Sequence, residues 1–179
     1  MSQNSDFKIV LLHDDLVSGR RGSSVLERLA SQLEMDSDEL VTDIWNFEAL
    51  LQPEVRCRAV SKIMEANMII ISAAGHSDLP SHIKNWFENV MSLCRGQEAA
   101  LVALLDWDQS KSGELPRLGV CLRELAAKSG MDFFCNKGEW QPPVEPVSEP
   151  VAVETGGRFT ASKTIVSWDS GQLGWGIND

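Results

Sequence analysis

Short apolar runs alternate along this chain with stretches whose apolar residues recur every three or four positions, and each kind of pattern predicts a different element. Phe7 to Leu12 (FKIVLL) reads as a first strand. Ser24 to Leu33 places Val25, Leu26, Leu29, Ala30 and Leu33 on one face, the spacing of a helix with one buried stripe, capped by Ser23 or Ser24. Glu39 to Trp45 alternates Leu40, Thr42 and Ile44 and predicts a second strand at a sheet edge. Pro53 opens a helix that runs to Glu65. Met68 to Ile71 is an unbroken β-branched run, the look of a strand covered on both faces in a parallel sheet. It stops at small residues, crosses a polar turn and enters a helix from Pro80 to Cys94. Ala99 to Leu105 is a fourth strand. Pro116 to Lys128, with Leu118, Cys121, Leu122 and Leu125 inward, is a helix ended by Ser129-Gly130. Met131 to Cys135 is a fifth strand. Strands and helices in strict alternation imply right-handed crossovers and an α/β fold: a three-layer α/β/α sandwich around a five-stranded parallel sheet, ordered 2-1-3-4-5 because the first and third strands are the most apolar.

Beyond Gly138 the pattern breaks. QPPVEPVSEPV is too rich in Pro and Glu for a regular element and predicts an extended surface run. RFTASKTIVSW then favours a strand, and the end is rich in Gly and Trp. The organisation is a main domain over residues 1–138 and a C-terminal extension over 139–179. Trp140, Trp168 and Trp175 are costly to leave in water, so the extension folds back on the domain or onto a second subunit, by pairing with the second or fifth strand or simply by packing.

Charge and cysteine content narrow the class. A chain of 179 residues with a formal net charge of −10 and a sequence pI near 4.7 offers no electrostatic attraction to nucleic acid or to an anionic membrane. Cys57, Cys94, Cys121 and Cys135 show no ligand spacing and predict reduced, partly buried thiols. No basic start with an apolar follow-on marks a leader, and no run is long enough to span a bilayer, so the expectation is a cytoplasmic protein.

Open α/β sheets bind ligands beyond the carboxyl ends of their strands, which directs attention to the loops after strands one, three and four. The first, HDDLVSGRRGSS, brings Ser18, Ser23 and Ser24 with Arg20 or Arg21 to an expected helix N-terminus, where amides, hydroxyls and a guanidinium suit a phosphate monoester; a plain capped loop explains the same residues. In that loop Asp14 and Asp15 resemble the metal-binding corner of response-regulator receiver domains, but the acceptor position at the end of the third strand reads Ser72-Ala73-Ala74. After the third strand, Ala73, Ala74 and Gly75 leave room for a flat ligand and His76 follows them. Asp106 and Trp107 follow the fourth strand, Trp107 serving either as rim packing or as the wall of a flat site. His13 and His82 read as structural residues.

The stretch LPSHIKNWFENV, with the strand and small-residue loop before it, resembles the NADPH-dependent FMN reductases of the flavodoxin-like superfamily. Their motif runs P-x-Y-N-x-S-x-P-x-x-L-K-N-x-I-D. Pro80, Lys84 and Asn85 match it, with Ile83 and Phe87 as apolar replacements. The family's phosphate loop, G-S-x-R-x-x-S, is laid on Ser18 to Ser24, with Arg21 and Ser24 on its Arg and second Ser. LGVCLRELAAKSGMDF looks like its closing helix and strand, so the resemblance covers residues 7–136. Gly75 and His76 stand where the family has Tyr and Asn, Asp78 replaces a Ser, and Leu26 replaces an Asn. The loop after the first strand is also longer than the family's by this alignment.

The resemblance implies an FMN-binding NAD(P)H-dependent oxidoreductase that passes hydride through FMN to a small-molecule electron acceptor, with Ser18, Arg21, Ser23, Ser24, Ala73, Ala74, Gly75, His76, Asp106 and Trp107 around the flavin. The cofactor carries that chemistry, so no catalytic residue is assigned, and no metal is expected. Family members pair through the helices after strands three and four, which implies a homodimer through Trp86, Phe87 and Met91. The other class is a flavodoxin-like domain that has lost flavin and serves as a binding or interaction module; the absence of any Tyr and the acidic pair point that way.

Overall fold

A computed structural model describes residues 6–33, 39–75, 78–107, 114–136 and 175–177. The elements follow in the order β1 (Phe7–His13), α1 (Leu16–Gln32), β2 (Leu40–Asn46), a 3-10 turn (Ala49–Leu51), α2 (Pro53–Glu65), β3 (Met68–Ala74), α3 (Ser81–Leu93), β4 (Ala100–Asp106), α4 (Arg117–Ser129), β5 (Asp132–Asn136) and β6 (Trp175–Ile177). The sheet runs β2-β1-β3-β4-β5-β6. Its first five strands pair in parallel in the expected order, and β2 stands at the edge that its alternation predicted. β6 adds antiparallel to β5, with Trp175 opposite Asn136 and Ile177 opposite Phe134. QPPVEPVSEPV and RFTASKTIVSW, with Trp140 and Trp168, lie outside the described residues.

The central strands are apolar without alternation because both of their faces are covered, as parallel sheets require. Val10, Leu12, Ile69, Ile71, Leu101, Ala103 and Leu105 pack against α2, α3 and α4 through Ala59, Ile63, Ile83, Phe87, Leu118 and Leu122. Ile9, Leu11, Ile70, Val102 and Leu104 face the other way, against Leu26 of α1 with Val25 and Leu29. The layers are therefore unequal: among the described residues α1 alone covers one face and three helices cover the other. Each fully buried Ile or Leu removes enough surface from water to stabilise the fold by about 1.5–3 kcal/mol.

Two expectations are corrected by this packing. Phe87 and Met91 are each 1% exposed and belong to the core, so they are not a surface face for a second subunit. Their spacing of four residues is simply the buried stripe of α3. The first helix also begins well before Ser23. α1 starts at Leu16, capped by Asp15 rather than by Ser23 or Ser24, and only Asp14 and Asp15 separate it from β1. A reciprocal capping box holds that start: the Asp15 carboxylate accepts from Ser18 N at 2.7 Å, and Ser18 Oγ accepts from Asp15 N at 2.9 Å.

Gly19 and Gly22, which look like loop residues in the sequence, are helical and sit where α1 presses on β1. A Cβ on Gly22 would lie 2.6 Å from both Leu11 methyls, and one on Gly19 would lie 3.0 Å from the His13 ring. Glycine lowers helix propensity by about 1 kcal/mol relative to alanine, so the close approach outweighs propensity here. At the other end of the sheet layer, Gly130 closes α4 in the left-handed conformation at φ 75°, as the Ser129-Gly130 stop predicted. The four cysteines are free thiols: Cys94 and Cys135 are buried, Cys121 is half-buried and Cys57 is exposed. Burial raises the Cys135 thiol to about 11.

If the glycine serves the contact, Gly22→Ala lowers stability by about 1–2 kcal/mol in urea unfolding, because Leu11 is fully buried and has nowhere to move. A stabilised variant, which propensity alone predicts, contradicts the contact.

Candidate functional site at the carboxyl edge of the sheet

The carboxyl ends of β1, β3 and β4 converge on one side chain, Arg21. It is 2% exposed, although arginine is seldom buried without partners. From the second turn of α1 its Nη1 donates to the carbonyls of Ala73 and Leu104, each at 3.1 Å, and its Nη2 lies 3.3 Å from the Asp106 carboxylate. The guanidinium thus bridges β3 and β4 from beneath the edge. Burial pulls its pKa down, and the Asp106 and Asp15 carboxylates oppose that shift.

The neighbouring polar groups are committed in the same way. Ser18 Oγ accepts from Asp14 N and Asp15 N, and the Ser72 hydroxyl donates to the Ser18 carbonyl at 2.7 Å. Asp14 N donates to the Ser72 carbonyl and Phe47 N to the His13 carbonyl, tying β1 to β3 and to the end of β2. Nδ1 of His13 lies 2.9 Å from the Asp15 carbonyl, a bond it makes only as the donor. Asn136 accepts from Leu105 N at 2.7 Å and donates to Leu105 O at 2.8 Å, extending the β4–β5 ladder by a side chain.

The predicted site residues are distributed by this network. Arg21, Ala73 and Asp106 are brought together, but with the guanidinium turned into the protein. Ser18 is buried and serves the cap. Ser23 and Ser24 lie more than a turn inside α1, where amides belong to the helical ladder, so the expected phosphate loop is a helix and not a cradle of free amides. Ala74 closes β3 opposite Asp106. Gly75 N donates to the Asp106 carbonyl at 2.9 Å, and a Cβ there would meet that carbonyl and the Trp107 Cβ at 3.0 Å. The room left by Gly75 is filled by β4 and not by a flat ligand. Trp107 is half-buried against the three-helix core, and its indole Nε1 is buried with no hydrogen-bond partner found. His76 lies outside the described residues.

Electrostatics at the edge is acidic. Asp14 and Asp15 are exposed where the α1 dipole is most positive, and the helix satisfies its own end with the second of them. The hydrogen bond from Ser18 N, above all, holds the Asp15 carboxyl below its usual range. A phosphate dianion at this helix end meets two carboxylates; of the two arginines one turn in, Arg20 is exposed and Arg21 is buried. No group of three or more His, Cys, Asp or Glu side chains among the described residues is placed to hold a metal ion, and Ser72-Ala73-Ala74 occupies the position where a receiver domain has its acceptor.

Comparison with known proteins decides the fold. A flavodoxin from Streptococcus pneumonia TIGR4 superposes with a TM-score of 0.51 over 77% of this chain and 88% of its own, at 10% identity. The fold is flavodoxin-like. A short-chain flavodoxin associated with a non-canonical PDU bacterial microcompartment (TM-score 0.48, 11% identity, 72% of this chain and 78% of that one) is also similar. So is TesA (TM-score 0.43, 13% identity, 70% and 77%). No protein-family model and no curated sequence matches the chain. At these identities the likeness establishes the flavodoxin-like architecture alone. No helix among the described residues is long and apolar enough to cross a membrane.

Sequence reading missed the inward turn of Arg21 and the strand-bridging Asn136. The Asp15-x-x-Ser18 spacing was the available signal for the first, since a capping box there winds residues 16–22 into a helix and carries Arg21 over the sheet. Two outcomes test the arrangement. Arg21→Met keeps the volume but leaves two buried carbonyls without their donor, costing about 1–3 kcal/mol in urea unfolding, whereas Asp106→Asn costs less because that carboxylate is 46% exposed. Asp15→Ala costs about 1 kcal/mol at neutral pH. Because the Asp15 pKa is depressed in the fold, its contribution is complete above the ordinary carboxyl value of about 4 and fades as pH falls through the depressed one. Wild-type and variant stabilities therefore converge in acid.

Proposed function

We propose that this flavodoxin-like domain acts as a binding module and holds no FMN by its phosphate. The observation that carries the reading is the N-terminus of α1: a two-residue connection from β1, a capping box that takes up the Asp15 and Ser18 amides, two exposed carboxylates, and Arg21 bonded inward to β3 and β4. A phosphate monoester bound at such an edge needs free amides and an available cation, since charge-assisted contacts supply most of its binding energy. Arg20 is exposed one turn into α1, but the inward-bonded Arg21 and the two carboxylates at the cap make this helix start a poor match for that group. An anchoring partner surface, by contrast, needs no such cradle and is compatible with a rigid, internally bonded edge.

The second reading is the FMN-dependent NAD(P)H oxidoreductase that Pro80, Lys84 and Asn85 suggested. It is supported by the shared architecture and by Trp107, whose Cβ stands beside Gly75 at the strand ends and whose indole Nε1 is buried. It requires a flavin held by its ring, with the phosphate held elsewhere.

Titration of FMN into the full chain, followed by flavin fluorescence, separates the two. The binding-module reading predicts no saturation below about 0.1 mM, a standard free energy weaker than roughly −5.5 kcal/mol. A yellow protein as purified, or micromolar affinity together with NAD(P)H oxidation, overturns it.

A further inference from the structure

Leu16 and Val17, the first two residues of α1, are 70% and 53% exposed at the carboxyl edge. They stand beside the exposed carboxylates of Asp14 and Asp15, so the first turn of α1 presents an apolar pair bordered by negative charge. We propose that the segment Arg158–Trp168 of the same chain docks on this turn and covers both side chains.

The two ends of the intervening chain make the placement specific. β5 ends at Asn136, and β6 returns antiparallel with Trp175 directly opposite it. Residues 137–174 therefore leave and re-enter the sheet at one corner, at its carboxyl edge. That corner is close to α1: Asn136 is bonded to Leu105, the carbonyl of Leu104 is bonded to Arg21, and Arg21 lies one turn beyond Val17. The distance from β6 across to β3, which α1 overlies, is three strand spacings, or about 15 Å. From Trp168 back to Trp175 the chain spans at most about 25 Å, so a segment ending at Trp168 reaches the first turn of α1 and returns.

The chemistry of the segment matches the patch. RFTASKTIVSW carries Phe159, Ile165, Val166 and Trp168, which need cover, and Arg158 and Lys163, which suit the flanking carboxylates. On the opposite side the exposed apolar residues Leu51, Met64 and Leu93 stand singly on three different elements, whereas Leu16 and Val17 are adjacent.

Hydrogen exchange of the full chain, read by peptide, tests the docking with the variant Leu16→Gln/Val17→Gln. Glutamine at these exposed positions leaves α1 intact, and protection of the α1 peptides verifies this. In the wild type, peptides within 158–168 are expected to exchange at least about tenfold more slowly than an unstructured chain, and the variant is expected to lose most of that protection. Lys163→Glu is expected to lose part of it. Absence of protection in the wild type, or protection that the variant leaves unchanged, overturns the proposal. Protection that disappears on dilution means that a second copy covers the turn, and overturns it as well.

Discussion

The close seat of α1 on β1 governs the carboxyl edge of this protein. Gly22 lets the helix backbone come down on the Leu11 methyls, where any larger residue collides. Only from that depth does Arg21 reach the carbonyls of Ala73 and Leu104 beneath the strand ends. The contact costs helix propensity at two glycines and desolvates a guanidinium. It is offset by two charge-assisted bonds to backbone, by the Asp106 carboxylate and by the apolar surface that α1 removes from water.

The same seat accounts for what the edge offers a ligand. In an open parallel sheet the crevice beyond the strand ends is where small molecules bind, because loops diverge there and helix N-termini point into it. Here α1 starts two residues after β1 and caps itself with Asp15 and Ser18, so its positive end is satisfied from within the chain. Ser72, in the buried part of β3, donates to the Ser18 carbonyl, and Gly75 is closed against β4. A fold shared with flavodoxins is thus combined with an edge whose polar groups are bonded to one another.

The unequal layers bear on the tail. Among the described residues three helices cover one face, whereas α1 alone covers the other. β6 covers the β5 edge that would otherwise present unpaired backbone groups, and does so with a strand of only three residues, Trp175–Ile177. The edge at β2 carries the half-exposed Ile44 and an ion pair from Asp43 to Lys62, a charge on the strand that discourages edge-to-edge pairing.

Much of this architecture was legible in the residues themselves. The unbroken runs at Ile9–Leu12, Met68–Ile71 and Leu101–Leu105 determined buried parallel strands, the alternation at Leu40–Ile44 determined an edge strand, and Pro53 and Gly130 marked helix ends, because periodicity and backbone restriction act within a few positions of the chain. The site was not legible in the same way. Gly19, Arg21, Gly22, Ser23 and Ser24 are the composition of a phosphate loop and equally of a helix that must approach a strand closely, and local chemistry does not distinguish the two. Phe87 and Met91 read as a surface face or as a core stripe for the same reason. What decided both was the position of neighbours distant in sequence: Leu11 under Gly22, the carbonyls of Ala73 and Leu104 within reach of Arg21, and three helices packed over one face of the sheet. Burial and the direction of a long side chain depend on where the rest of the chain folds, so only the tertiary structure turned Arg21 from a candidate ligand contact into a strut of the sheet.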